Sequence, residues 1–171
     1  MTDPLLFVLV SGWPGSGKST LARSLATQLN LPLIAKDEIK EALCEAMGPP
    51  ADVEASRVLG RGSVLAMLRV ASASPGAVLD STWFDYALPL VRALPGTLVQ
   101  IRCLVPAAVA GERYRERMAD RSPAHLDAQR TPDELWGAPV PDLGVGPFLD
   151  VDTTHPVDVA NVVASIRQLA P

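Results

Sequence analysis

Aromatic residues are scarce, 5% of the 171 residues, so a core has to be assembled mainly from Leu, Val, Ala and Ile. Cysteine is scarcer still: Cys44 and Cys103 stand far apart with no metal-ligand spacing and read as buried free thiols, which points to the cytoplasm. Histidine gives no metal set either, since His125 and His155 are distant and no acidic ligands surround them. Positive charge is not in excess. The net charge of -4 argues against a general binder of nucleic acid or anionic membranes. The apolar run Leu5 to Val10 is too short for a signal core or a membrane span, and no basic segment precedes it, so no leader and no membrane association are expected.

What is present alternates between strand and helix. The run Leu5 to Val10 ends at Ser11-Gly12, the pattern of a strand buried on both faces. A helical stripe follows over 19–29, then a short strand over 33–35 and a helix over 37–47. A long helix is expected over about 52–73, with Val53, Val58, Leu65, Met67, Leu68 and Val70 as its apolar side chains. Strands are expected over 77–80, 97–105 and 148–151. Helices are expected over 86–94, from Pro106 to about Asp120, and over 157–169. Residues 121–146 are polar and rich in Pro and Gly, with one helical piece around 124–129, and read as a lid or binding loop. The alternation predicts a parallel sheet covered on both faces, in one domain over 1–171.

Gly12-Trp13-Pro14-Gly15-Ser16-Gly17-Lys18-Ser19-Thr20 matches the phosphate-loop pattern G-x-x-x-x-G-K-[ST]. Glycine lets the backbone curl so that successive N–H groups point at phosphate oxygens, and the helix that follows adds its positive end. Lys18 reaches the β- and γ-phosphates in such a loop, and the Ser19 hydroxyl is placed to ligate Mg²⁺. A glycine-rich strand-to-helix turn with an exposed lysine is the bland alternative. The flanking strand and helix favour the phosphate loop.

Two carboxylates end strands. Asp37 follows the second strand, on the edge where ligands bind in open α/β sheets. It is placed to accept the proton of a hydroxyl attacking a γ-phosphate, or to cap the helix it opens. Asp80 ends the third strand in Ala77-Val78-Leu79-Asp80, the Walker B arrangement for holding Mg²⁺, or else a buried strand-end cap. Lys40, a helical turn beyond Asp37, either holds a substrate anion or is solvated. Thr82 and Trp83 face the same edge, as substrate contacts or as packing, and Arg57 and Arg61 face either a substrate or solvent. Arg113, Arg117 and Arg121 recur every four residues before the irregular stretch. Such a stripe suits a lid over polyphosphate, with a solvated face paired to Glu112, Glu116 and Asp120 as the alternative. His125 reads as a lid or substrate contact.

With GWPGSGKST, AKDEIK, AVLDST, RYRERMADR and FLDVDTT in this order, the chain resembles the small P-loop kinases of the AAA-like type. Their relatives include polynucleotide 5′-hydroxyl kinases, chloramphenicol phosphotransferase and zeta-toxin-like kinases. The resemblance implies an α/β P-loop NTPase fold of the nucleoside-kinase-like kind: a three-layer sandwich on a five-stranded parallel sheet of order 2-3-1-4-5, with an Arg-rich lid over about 113–146. It implies ATP, Mg²⁺ and transfer of the γ-phosphoryl group to a hydroxyl, with Lys18, Asp37, Arg117 and Arg121 at the chemistry. It implies that Asp152, Thr153 and Thr154 lie near the adenine. Where polynucleotide kinases tend to carry Asp-x-x-Arg, this chain has Lys40, and with the acidic balance this disfavours nucleic acid. A small hydroxyl compound is the expected acceptor. A polynucleotide 5′-hydroxyl and a nucleotide-dependent switch acting on a protein partner are the alternatives.

Overall fold

The structure, a computed structural model, describes residues 5–170 apart from the side chain of Asp120. Residues 1–4 and 171 of the expected domain lie outside it. The chain runs β1 (Leu6–Gly12), α1 (Lys18–Leu29), β2 (Leu33–Ala35), α2 (Lys36–Met47), α3 (Val53–Ser72), β3 (Gly76–Asp80), α4 (Leu88–Arg92), β4 (Thr97–Leu104), α5 (Ala107–Arg117), α6 (Pro132–Trp136), β5 (Phe148–Asp152) and α7 (Val159–Leu169). The five strands form one parallel sheet in the order β2-β3-β1-β4-β5, as the motifs implied.

Alternation along β1 divides the core. Val8 and Val10 pack with Leu21 and Leu25 of α1 and with Val162 and Ile166 of α7. Phe7 and Leu9 point the other way, onto Val64, Met67 and Leu68 of α3. Successive residues of a strand face opposite sides, so a strand covered on both faces must be apolar throughout. Residues 7–10 of β1 have no exposed surface.

Several expectations need correction. The apolar stripe of α3 is Val64, Met67, Leu68 and Ala71, while Val58 and Val70 are more than half exposed, because the helix turns that face to solvent. The segment expected as one helix over 86–94 is a 3₁₀ turn at Asp85–Ala87 followed by α4, with Pro89 in the first turn, where its missing N–H costs least. Pro106 is the N-cap of α5 rather than part of its first turn, and α5 ends at Arg117 in a 3₁₀ turn, Met118–Asp120. The irregular stretch contains two further 3₁₀ turns, Pro123–His125 and Asp127–Gln129, and the helix α6. Thr131 and Glu134 close a capping box on α6, a T-x-x-E signal readable in the sequence.

Candidate active site

The phosphate loop joins β1 to α1. Gly17 takes the N-cap position in the left-handed region (φ 83°), and Gly15 is also left-handed (φ 82°). A side chain at Gly15 would also run into the Ala110 carbonyl of α5. The Ser16 amide closes the turn on the Trp13 carbonyl at 3.0 Å. The Ser16 hydroxyl is buried with no hydrogen-bond partner among the described residues, as it would be in a cradle shaped for anion oxygens. Lys18 opens α1, and Lys18 and Ser19 line a cavity of about 980 Å³ with Trp13, Pro14 and Gly15; Thr20 is exposed.

The strand register delivers both acids to this cavity. Ala35, Asp80 and Val10 stand in one row across β2, β3 and β1. Asp80 therefore ends beside the strand that leads into the phosphate loop, and Asp37 lies two residues past the end of β2. Asp80 is buried, and its Oδ1 has no hydrogen-bond partner among the described residues. Among the described residues no cluster of three or more His, Cys, Asp or Glu could hold a metal alone. One buried carboxylate oxygen with the Ser19 hydroxyl is instead the donor set that suits Mg²⁺ shared with nucleotide phosphates. Asp37 does not cap α2: Ala35 holds that position, and no side chain caps it. Burial alone would raise the Asp37 pKa, but the ion pair with Lys36 and the charges of Lys18 and His125 hold it well below the usual carboxylate range. It is an anion at neutral pH. Lys40 is buried rather than solvated, and its ammonium donates to Ser56 Oγ at 2.8 Å.

The three arginines of the stripe have three different placements. Arg113 is not part of the cavity lining and donates to the carbonyls of Thr153 and Thr154 at 2.9 and 2.7 Å, tying α5 to the loop after β5. Arg117 lines the cavity and, among the described residues, pairs with no acid. Arg121 lies over the Tyr114 ring at 5.3 Å, pairs with Asp127 at 3.1 Å and approaches Asp37 at 3.8 Å. Neither Glu112 nor Glu116 forms an ion pair among the described residues.

Other expected contacts fare unevenly. Thr82 and Trp83 both line the cavity, Trp83 almost wholly buried and donating its indole N–H to the Val10 carbonyl at 3.4 Å. Arg57 and Arg61 do not reach the cavity wall: both pair with Glu54, and Arg57 also pairs with Glu134 of α6. The Thr153 side chain is buried, and its hydroxyl contacts the Ser16 carbonyl at 2.6 Å, so it braces the phosphate loop from below. Asp152 and Thr154 border a smaller cavity of about 450 Å³ beside Trp13 and Arg102. His125 is buried in the wall, with Nε2 2.7 Å from Glu41 Oε1. Burial lowers its pKa most, against the raising effects of Asp37 and Glu41.

Five contributors carried no role in the sequence reading. Trp136 donates its indole N–H to the Pro14 carbonyl at 2.9 Å, and Trp13 donates to the Ala138 carbonyl at 2.8 Å, so the segment around α6 is latched to the phosphate loop. Glu41 was missed although it lies four residues beyond Asp37, on the same face of α2. Ser56 and Arg130 carried no local signal; long-range packing alone brings them beside Lys40.

Residues 7–138 match the AAA domain family, and the chain belongs to that family. The resemblance to small P-loop kinases is borne out. A kinase candidate from Chloroflexus aurantiacus j-10-fl, of known structure, is 32% identical and superposes with a TM-score of 0.87 over 100% of both chains. A shikimate kinase of Corynebacterium glutamicum is 31% identical over 143 residues, 71% of this chain and 82% of that one. An uncharacterized protein of Mycobacterium tuberculosis is 29% identical over 134 residues, covering 68% of this chain and 26% of its own length. The present chain thus spans about a quarter of that relative.

Proposed function

We propose that this member of the AAA domain family is an ATP- and Mg²⁺-dependent kinase that moves the γ-phosphoryl group to a hydroxyl of a small molecule, with 1–171 as one domain and 113–146 as its lid. The observation that carries the reading is the shared cavity: Lys18 of the phosphate loop and the anionic Asp37 line one space of about 980 Å³, with room for an acceptor beyond a triphosphate. The kinase names among the relatives support the class of reaction.

Phosphoryl transfer is catalysed mainly by positioning and by charge. The loop N–H groups and Lys18 hold the β- and γ-phosphates, and Arg117 meets charge that develops on the transferred group. Ser19 and Asp80 would hold Mg²⁺, which would supply neutralisation of phosphate charge. Asp37 accepts a hydrogen bond from the acceptor hydroxyl and aims its oxygen at phosphorus. With its pKa held low, Asp37 is a weak base, so it takes the proton late, as the new P–O bond forms. Thr82 contributes to the acceptor wall, and Asp152 and Thr154 border the base end of the nucleotide.

The test is ADP release from Mg·ATP against a panel of hydroxyl compounds. Asp37→Asn is expected to lower kcat for the true acceptor by about 100- to 10,000-fold, the usual worth of a general base. Unchanged transfer would show that Asp37 is not the residue that receives the proton.

A further inference from the structure

The acceptor side of the cavity holds cations that no carboxylate meets. Three of its acids are matched, Asp37 by Lys36, Asp127 by Arg121 and Glu134 by Arg57; Glu41 meets the His125 imidazole, and Asp80 and Asp85 line the cavity with no ion pair among the described residues. Two cations on the same wall also stand without an acid. Lys40 of α2 and Arg130, which follows the second 3₁₀ turn of the lid stretch, both line the cavity, and neither has a carboxylate within ion-pair distance among the described residues. Instead they converge on one neutral atom. The Lys40 ammonium donates to Ser56 Oγ at 2.8 Å, the Arg130 guanidinium reaches the same oxygen at 3.5 Å, and the Ser56 hydroxyl donates onward to the Ala124 carbonyl at 2.8 Å. Lys40 is only 4% exposed and Ser56 is wholly buried.

A buried ammonium without a counter-ion costs folding free energy, and fold stability gives no reason to keep it. Three separate stretches of chain nonetheless bring this buried charge and the half-buried Arg130 together, on the wall that also carries Asp37. We infer that Lys40 and Arg130 form an anion subsite in the acceptor half of the cavity. On the kinase reading, the acceptor is therefore a hydroxyl compound that also bears an anionic group, a carboxylate or a phosphate ester. Ser56 orients the Lys40 ammonium, and the anion replaces water as the partner of the free donors on both cations. Arg130 supplies the fork that suits either oxyanion. Neutral alcohols leave this charge uncompensated and bind weakly.

The test separates this subsite from the phosphate loop, which also takes anions. The protein is saturated with Mg²⁺ and the non-hydrolysable analogue AMP-PNP, then titrated with inorganic phosphate or with acetate against chloride at constant ionic strength. Amide and side-chain NMR signals of Lys40, Ser56, Ala124 and Arg130 are followed. The expected result is a saturable shift at these residues, with phosphate or acetate as the tighter probe showing which oxyanion the site takes. Binding should weaken tenfold or more in Lys40→Met and in Arg130→Gln, and Lys40→Arg should recover it. Arg130 is half-buried in a loop, so its variant reports even if Lys40→Met misfolds. No response beyond chloride, or equal affinity in Arg130→Gln, overturns the subsite. Anion binding without phosphoryl transfer to any acceptor would sink the kinase reading and leave the subsite standing; transfer to neutral alcohols without an anion response would do the reverse.

Discussion

Lys40 shows how one side chain can serve ligand binding at the expense of stability. Burial and the neighbouring Lys36, Arg130 and Arg121 charges lower its pKa from 10.5 to about 8, with Asp37 pulling the other way. Between those values the unfolded chain binds the proton and the folded protein does not, so stability rises with pH across that window. The burden on the fold is greatest below pH 8, where Lys40 is charged in both states. Urea unfolding midpoints should climb from pH 8 towards 10 in the wild type and lose part of that climb in Lys40→Met, which should be no less stable than wild type at pH 7. A Lys40→Met variant with an unchanged pH slope would place the titrating group elsewhere. Asp37 shows the same division of roles: its position beyond a strand was legible from AKDEIK, but its ion pair with Lys36 and its nearness to Arg121 were not. Those contacts make it a held anion rather than a helix cap.

At the scale of elements, the lid stretch departs furthest from expectation. The spacing predicts one stripe of arginines, yet Arg113 anchors α5 to the loop after β5 and Arg121 is held by Asp127, while Arg117 faces the cavity with no acid partner among the described residues. Helix periodicity predicts a shared face only while the helix lasts, and α5 stops at Arg117, before Arg121; within α5, the carbonyls of Thr153 and Thr154 draw Arg113 from the placement Arg117 takes. The segment that approaches the phosphate loop is the one around α6, through Trp136 and Trp13. Trp136→Phe keeps most of the ring against Tyr114 and removes the indole donor. A hydrogen bond of this kind contributes about 0.5–1.5 kcal/mol, so amides over 130–141 should exchange about two- to tenfold faster in that variant. Hydrogen exchange followed by mass spectrometry reads this directly, and unchanged protection would mean that the indole bond does not hold the segment.

Across the whole molecule, ligand binding and folding draw on the same contacts. Arg113 and Thr153 join α5, the phosphate loop and the chain after β5, three segments distant in sequence. A nucleotide that engages the loop should therefore stabilise the entire fold. At a ligand concentration of 100 Kd the gain is about 2.7 kcal/mol, which for a chain of this size is about 5–10 °C in melting temperature. Calorimetry with Mg·AMP-PNP should show that shift, and Lys18→Ala should lose most of it; the absence of a shift in the wild type would count against nucleotide binding. The sequence by itself determined the parallel sheet, the phosphate loop and the strand-end acids. Those features are local, because apolar runs, glycines at fixed spacing and a carboxylate after a strand act within a few residues of themselves. The partners of the arginines, the solvent-facing side of α3, the tryptophan latch and the meeting of Lys40, Ser56 and Arg130 were decided only by the tertiary structure. Each of these depends on the packing of segments far apart in the chain, and no local period or spacing records which charge will find a counter-ion and which will be left to wait for a ligand.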